Sequence, residues 1–137
     1  MNLATLSVLF PYSLETRGVV VRVAVSFLPE QSDPSSGRWF WAYHIPLENS
    51  GAREVQLLTR RWVITDGHGA RHSVEGEGVV GEQPFIAPGQ SYDYVSGCPL
   101  DTPTGSMEGS YQMIGTDGAI FDARIPRFLL IGPEGGQ

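Results

Sequence analysis

Apolar and polar side chains alternate along most of this chain. In Val19–Leu28 every odd position up to residue 27 is apolar, and in Arg38–Glu48 the odd positions are apolar again. A period of two residues places alternate side chains on opposite faces of an extended strand. No segment has a convincing helical period. The pattern therefore predicts β-strands and no helix.

Five further segments have the character of strands and are separated by turn signals: Glu54–Asp66, Arg71–Glu75, Ser91–Ser96, Met107–Ile114 and Ala119–Ile125. The dipeptide Asp117-Gly118 is a strong hairpin signal between the last two. In Glu54–Asp66 the apolar phase changes between Leu57 and Trp62, so we expect a β-bulge near Thr59–Arg61.

The number and spacing of these strands indicate the fold class. About seven or eight antiparallel strands, with a turn signal about every ten residues, are typical of a two-layer sandwich. We predict an all-β, antiparallel β-sandwich of the fibronectin type III or immunoglobulin-like class. It is expected to form one domain over residues 1–137, with an ordered core of about 12–131. The core should contain Val21, Val23, Val25, Trp41, Tyr43, Trp62, Tyr94, Tyr111 and Met113.

Pro46 and Phe40 lie in the same predicted strand and suggest an exposed position for it. Pro46 cannot donate a ladder hydrogen bond, which is typical of an edge strand or a bulge. Phe40 falls on the face opposite to Trp39 and Trp41 and should point outward. An exposed phenylalanine on an edge strand is a contact point for a partner protein or a second copy of the chain; a loop that covers it is the alternative.

The stretch Gly76-Glu77-Gly78-Val79-Val80-Gly81 has the G-x-G-x-x-G spacing of a dinucleotide fingerprint. That motif needs a following helix, whose N-terminus holds the pyrophosphate. Here Pro84, Pro88 and Gly89 follow, which excludes a useful helix. We expect the glycines to let a strand end and cross to the next one.

A second interpretation of the glycine stretch stays open. Successive backbone N–H groups in a glycine turn can form an anion-binding nest without any helix. Arg60, Arg61 or Arg71 would supply the counter-charge. The nearby carboxylates Glu75, Glu77 and Glu82 would oppose it.

The charge balance limits the partners of the chain. All nine basic residues are arginine, and the net charge is -6. An acidic chain is poorly suited to non-specific nucleic-acid binding or to an anionic membrane surface. No apolar run reaches the length that spans a bilayer. Cys98 is the single cysteine, so no internal disulfide forms, and a reducing cytoplasm fits.

Candidate catalytic and metal-binding groups are few. His68 and His72, with Asp66 and Glu75, are metal-ligand types, but solvated turn residues are far commoner, so we predict no metal and no cofactor. Cys98 has no histidine near it in sequence and is expected to be a buried, inert thiol. We find no enzyme motif.

Several blocks of sequence, in order, carry a family resemblance. They are LLTRRWVITDGHG (57–69), GEGVVGEQPFIAPGQ (76–90), SGCPLDTPTGSMEGSYQM (96–113) and FDARIPRFLL (121–130). Over roughly residues 12–131 the chain resembles the ApaG family. Many members carry R-H-W where this chain has Arg60-Arg61-Trp62.

The resemblance implies a fibronectin type III-like sandwich. It also implies kinship with eukaryotic interaction domains, attached to an F-box protein and to a polymerase-delta-interacting protein. Bacterial members are linked to cobalt resistance and magnesium efflux. The glycine motif of the family, suspected of binding pyrophosphate, maps onto Gly76, Gly78 and Gly81.

We therefore predict a cytoplasmic, non-catalytic binding module with a protein partner or a homodimer. The alternative is a small-molecule binder that holds pyrophosphate or a nucleotide at the Gly76–Gly81 turn, together with a divalent cation.

Overall fold

The computed structural model describes residues 3–133 and has the predicted antiparallel β-sandwich fold. Within that range nine strands form two sheets. Their bounds are β1 (Tyr12–Thr16), β2 (Val19–Phe27), β3 (Trp39–Asn49), β4 (Val55–Asp66), β5 (Arg71–Glu77), β6 (Phe85–Ile86), β7 (Ser91–Leu100), β8 (Thr104–Gly115) and β9 (Ile120–Ile131). Residues 1–2 and 134–137 of the predicted domain lie outside the described residues.

The two sheets have different strand orders. One contains β1-β2-β3-β7, and the other contains β5-β4-β8-β9, with the two-residue β6 paired to the end of β4. Every pairing is antiparallel. The edge strands are therefore β1 and β7 in the first sheet and β5 and β9 in the second.

The two lateral sides of the sandwich differ. On one side β1 and β9 meet, because the Arg124 amide donates to Thr16 Oγ1 at 3.1 Å and the Leu129 amide donates to the Tyr12 hydroxyl at 3.4 Å. On the other side β5 and β7 border an open cleft. The cleft is described below as the candidate site.

The core lies between the sheets and is built on aromatic side chains. The Trp62 ring centroid lies 5.3 Å from that of Tyr43 and 5.9 Å from that of Phe128. Of the nine core residues predicted above, eight are buried, and Val25 is half-buried against them. The indoles of Trp39 and Trp41 donate to the carbonyls of Pro133 and Ile131, both at 3.0 Å, and hold the chain end against the first sheet.

The prediction that the chain has no helix is wrong. A helix, α1 (Leu3–Leu9), precedes the first strand, and single 3-10 turns occur at Pro29–Gln31 and Pro34–Ser36. Seven residues are too few to develop a recognisable 3.6-residue period. After the helix, the Phe10 ring packs on His44 at a centroid distance of 5.2 Å. Within residues 3–133 no helix has the length and apolar character needed to cross a bilayer.

The expected edge position of Pro46 and Phe40 is also wrong. Their strand, β3, lies inside its sheet between β2 and β7. Pairing with β2 is interrupted between Val21↔Leu47 and Ala24↔His44, and the missing N–H of Pro46 falls in that gap with no change of register. The half-buried Phe40 ring lies over Gly97 of β7, where a Cβ would come within 2.4 Å of it. The loop before β3 also reaches Phe40, whose amide donates to Ser32 Oγ at 2.9 Å.

The bulge expected near Thr59–Arg61 is present one residue earlier. The register between β4 and β8 shifts between Leu57 and Thr59, so Leu58 is the extra residue. The shift turns Leu57 and Trp62 toward the same core although one has an odd number and the other an even number.

Candidate functional site

A cleft of about 740 Å³ opens between the two sheets along β5 and β7. Its walls are mainly apolar and aromatic, with a few charged groups at the rim. The lining includes Tyr43, Trp62, Val74, Val79, Tyr94, Cys98, Leu100 and Met107, with Arg38, Arg60, Asp66, His72 and Asp101 as the ionisable groups besides Tyr and Cys. A concave, mainly apolar site with few polar groups has the usual form of a binding site.

The register of β4 and β5 decides which side chains face the cleft. Directly opposite residues share one face of a sheet, and the pairs Trp62↔Val74 and Ile64↔His72 both line the cleft. Arg60 faces the same way because it lies two residues before Trp62, with no bulge between them. Its opposite residue is Gly76.

The Arg60 side chain is anchored at one end of this cleft. Its Nη1 donates to the carbonyls of Glu77 and Gly78, both at 3.0 Å. The guanidinium lies over Gly76, where an added Cβ would come within 2.8 Å of Nη1 and Nη2. Glycine at position 76 therefore makes room for the cation.

The other two glycines of the motif shape the chain reversal. The Gly78 amide donates to Leu58 O at 2.9 Å, and Gly78 has a φ of +63°. Val79 and Glu82 exchange backbone hydrogen bonds of 2.8 and 2.9 Å around Val80 and Gly81, which both have positive φ. These are the features of a tight hairpin turn. The prediction that the glycines end one strand and start the crossing to the next is confirmed, since β5 ends at Glu77 and the chain returns as β6.

The residues proposed for an anion nest are only partly brought together. Arg60 lies beside Gly76 and Gly78. Arg61 and Arg71 alternate with the cleft-facing positions and pair instead with Glu75 at 3.3 Å and Glu108 at 3.9 Å.

Some of the backbone N–H groups that would form the proposed nest already donate hydrogen bonds within the protein. The amides of Gly78 and Val79 donate to protein carbonyls, whereas those of Val80 and Gly81 have no protein acceptor within residues 3–133. The anion nest stays a prediction.

Burial dominates the ionisation of the groups on the cleft floor. It raises the pKa of the Tyr43 hydroxyl and raises that of Tyr94 further. Tyr94 and Tyr111 share a hydrogen bond between their hydroxyls, across the two sheets. Burial also raises the pKa of the Cys98 thiol to about 11. Cys98 is 2% exposed, which confirms the prediction that its thiol is buried.

The four residues considered for a metal site do not converge. His72 lines the cleft, whereas Glu75 lies on the opposite face of β5. Asp66 Oδ1 accepts from the backbone amides of His68 and Ala70, at 2.8 and 3.0 Å, as a turn residue does. In the part of the chain that the structure describes, no three metal-binding side chains form a group.

Several cleft residues were not singled out from the sequence as site residues. Val74, Tyr94 and Ser96 line the cleft together with Arg60. Of these residues only Val74 could have been suspected from the sequence, because it is an apolar residue in a short, otherwise polar strand. The cleft depends on which strands lie at the sheet edges, and that requires the topology.

Comparison with known proteins identifies a family profile and relatives that match this chain in sequence. The sequence profile of the ApaG domain matches residues 29–115. A protein ApaG from Afipia carboxidovorans is 54% identical over 123 residues, which covers 90% of this chain and 95% of the relative. One from Bradyrhizobium is 52% identical over 124 residues, with the same coverage of both chains.

A solved structure is similar as well. A Bordetella pertussis protein named ApaA has a crystal structure that matches with a TM-score of 0.83 and 42% identity, over 88% of this chain and 98% of that one. These similarities extend over nearly the whole length of each chain. This chain belongs to the ApaG family.

Proposed function

We propose that this chain is a non-catalytic binding module whose cleft between β5 and β7 receives an extended segment of a partner protein. The observation that carries the proposal is the asymmetry of the sandwich. Hydrogen bonds join the edges on the β1 and β9 side, whereas β5 and β7 leave an apolar cleft open between them.

Both borders of the cleft are strand edges. Among the strands of residues 3–133, β7 pairs only with β3, and β5 pairs only with β4. The outer edge of such a strand has backbone N–H and C=O groups with no ladder partner, and an extended peptide can pair with them. Alternate side chains of that peptide would then point into the cleft. Backbone pairing would supply affinity, and the cleft would supply selectivity.

Apolar side chains at the cleft also support the proposal. Val74 is 42% exposed although it faces Trp62, and Val80 is 58% exposed at the turn that closes one end. Covering apolar surface contributes about 25 cal/mol per Å². A partner that fills the cleft would bury these valines.

The chemistry of the cleft gives little support to catalysis. The thiolate is the reactive form of cysteine. The raised pKa of Cys98 keeps its thiol protonated at neutral pH. The cytoplasmic location and the link to cobalt resistance and magnesium efflux stay expectations from the family resemblance.

The test is a selection of random twelve-residue peptides on the full chain, followed by fluorescence polarisation of the enriched peptides. Val74→Gln should weaken binding about tenfold or more, because it puts an amide on the cleft wall. Val95→Gln is the matched control, since Val95 is 59% exposed on the outer face of β7. Failure to enrich any peptide, or equal losses in both variants, would contradict the proposal.

A second candidate function is the capture of pyrophosphate or a nucleotide, with a divalent cation. It is favoured by the amides of Val80 and Gly81, which have no protein acceptor within residues 3–133 and line the same cleft as Arg60. Inorganic pyrophosphate, with and without Mg²⁺, is titrated into ¹⁵N-labelled protein. Saturable shifts confined to residues 76–82 would support this candidate, and unchanged spectra would remove it.

A further inference from the structure

We infer that the segment bound in the cleft carries a carboxylate that pairs with Arg60, with an apolar side chain two residues away. This inference rests on the proposed function and names the chemistry of the partner. The recognised pattern is acidic–x–apolar, in which the acid is Asp or Glu and both side chains point to the same face of an extended segment.

The first argument is the set of donors that Arg60 leaves unused. A guanidinium has five N–H donors in a planar fork. Nη1 uses both of its hydrogens on the carbonyls of Glu77 and Gly78. Within residues 3–133 no protein acceptor lies at hydrogen-bond distance from Nε or Nη2 of Arg60. Neither atom is among the fully buried polar atoms of that range that lack a partner. The edge formed by Nε and Nη2 is therefore free for the bidentate contact that a carboxylate makes.

The second argument is that the cation is held in place before any ligand arrives. The two carbonyl contacts fix one end of the guanidinium, and the bare backbone of Gly76 supports its flat face. A preorganised side chain loses less conformational entropy when it binds. An arginine that served only for solubility would need no such support.

The third argument is the lack of a competing carboxylate. Within residues 3–133 Arg60 forms no ion pair. Asp66, on the cleft face of the same strand, is six residues from it, a distance of about 20 Å at a rise of about 3.3 Å per residue. Asp101 follows the far end of β7, and Glu75 is paired with Arg61. Within the described residues no carboxylate is therefore in direct contact with the Arg60 guanidinium.

The surroundings of Arg60 define the rest of the ligand. The next cleft-facing pair along β4 and β5 is Trp62 and Val74, two residues from Arg60 and Gly76. In an extended segment that runs alongside, side chains two residues apart repeat at the same interval. An acid over Arg60 thus places the second side chain on Trp62 and Val74, which calls for an apolar group.

A single carboxylate fits this site better than a polyphosphate. One arginine matches one negative charge, whereas a pyrophosphate carries several. The carboxylates of Glu77 and Glu82 lie near the turn and would repel the excess charge. The apolar wall next to Arg60 would also go unused by a small inorganic anion.

The experiment compares each selected peptide with its isosteric amide, in which Glu or Asp is replaced by Gln or Asn. The wild-type protein should bind the acid at least about tenfold more tightly than the amide, as expected for a charge-assisted hydrogen bond. Arg60→Gln should bind the acid peptide and its amide counterpart with equal affinity. Arg61→Gln is the matched control because it removes the same charge from the opposite face of β4, and it should keep the preference.

A second variant tests the geometry with the charge kept. In Gly76→Ala the new Cβ would displace the guanidinium, which can move because it is the end of a flexible side chain. This variant should fold, keep its net charge and lose most of the preference for the acid. Thermal unfolding of each variant checks that its fold is intact.

The outcomes separate this inference from the proposed function. Peptides that bind with no preference for the acid, or a preference that survives both Arg60→Gln and Gly76→Ala, would contradict the inference alone. Enrichment of no peptide would contradict both. A third outcome would identify pyrophosphate, and not a peptide carboxylate, as the ligand of Arg60. It is saturable binding of inorganic pyrophosphate that Arg60→Gln abolishes, together with equal binding of the acid and amide forms of each peptide.

Discussion

Gly76 lies directly opposite Arg60 in the ladder between β4 and β5, and the guanidinium covers the place that a side chain at position 76 would take. The same guanidinium holds the carbonyls of the two residues that follow Gly76 in the chain. The first glycine of the motif and the arginine therefore form one unit. That unit forms one end of the cleft between the sheets.

The glycines of the motif should differ in their effect on stability. At Gly78 an added Cβ would lie 2.2 Å from the Glu82 carbonyl oxygen, with φ at +63°. At Gly81 φ is +82° but nothing lies within 4 Å. Gly81→Ala should cost about 1–2 kcal/mol, the cost of a left-handed conformation. Gly78→Ala should cost at least about 2 kcal/mol more because the turn must rearrange. Urea unfolding measures both, and equal losses would contradict this account of the turn.

Trp62 should be among the most sensitive positions of the core. It is 3% exposed and contacts the rings of Tyr43, Tyr111 and Phe128 from both sheets. Trp62→Ala should lower the free energy of unfolding by about 3–5 kcal/mol, because it leaves a large cavity between the sheets. Phe85→Ala is the control. Because Phe85 is 66% exposed, this variant should lose much less free energy of unfolding. Similar losses in chemical denaturation would show that the core is placed wrongly.

The buried amide of Asn49 should be required at the end of β3. Its Nδ2 donates to the carbonyls of Arg53 and Ile86, at 2.7 and 2.9 Å, and its Oδ1 accepts from the Gly51 amide at 2.9 Å. Asn49→Asp keeps the shape but removes both donors. We expect a loss of about 2–4 kcal/mol at neutral pH, from two carbonyls left without donors. Ser50→Ala, which removes the exposed bond of Ser50 to Gly18, is the control and should cost under about 1 kcal/mol.

Stability should fall at alkaline pH. Burial raises the pKa of the Cys98 thiol from 9.0 to about 11, so the folded state keeps a proton that the unfolded chain releases. Its contribution is fully present below pH 9 and is lost as the pH rises toward 11. The raised pKa values of Tyr43, Tyr94 and Tyr111 extend the loss to higher pH.

Urea midpoints between pH 7 and pH 11 test this prediction. The wild-type midpoint should decline above pH 9, and Cys98→Ala should decline less between pH 9 and pH 11. A wild-type midpoint that rises over this range would contradict the sign of the effect. Alkylation of Cys98 should be slow at pH 8 for the same reason.

The sequence was sufficient for the fold class because alternation extends over long segments. It did not reveal β1, whose five residues include only two alternating apolar positions, Tyr12 and Leu14, or β6, which has two residues. It misplaced Pro46, because a strand interior tolerates proline where the ladder is interrupted, and only the pairing shows that gap. The bulge could be located to within one residue, since a change of phase between Leu57 and Trp62 has few other causes.

The candidate site was less predictable for a geometric reason. Alternation puts Arg60 on the same face of β4 as Trp62 and Ile64, and puts Arg61 on the other face. Only the register of β4 and β5 shows that Arg71 shares the face of Arg61 and that the Trp62 face borders the cleft. The cleft also requires β5 and β7 to be the edges on the same side of the sandwich, which no local pattern indicates. The glycine motif was recognisable at once, but the link between Gly76 and Arg60 depends on the register of two strands.

The most direct test of the binding cleft is the mapping of amide shifts in ¹⁵N-labelled protein when the tightest selected peptide is added. The account predicts shifts and slowed hydrogen exchange along β5 and β7, centred on residues 72–78 and 92–100, with little change in β1 and β9. Shifts concentrated on β1 and β9, with β5 and β7 unaffected, would contradict it.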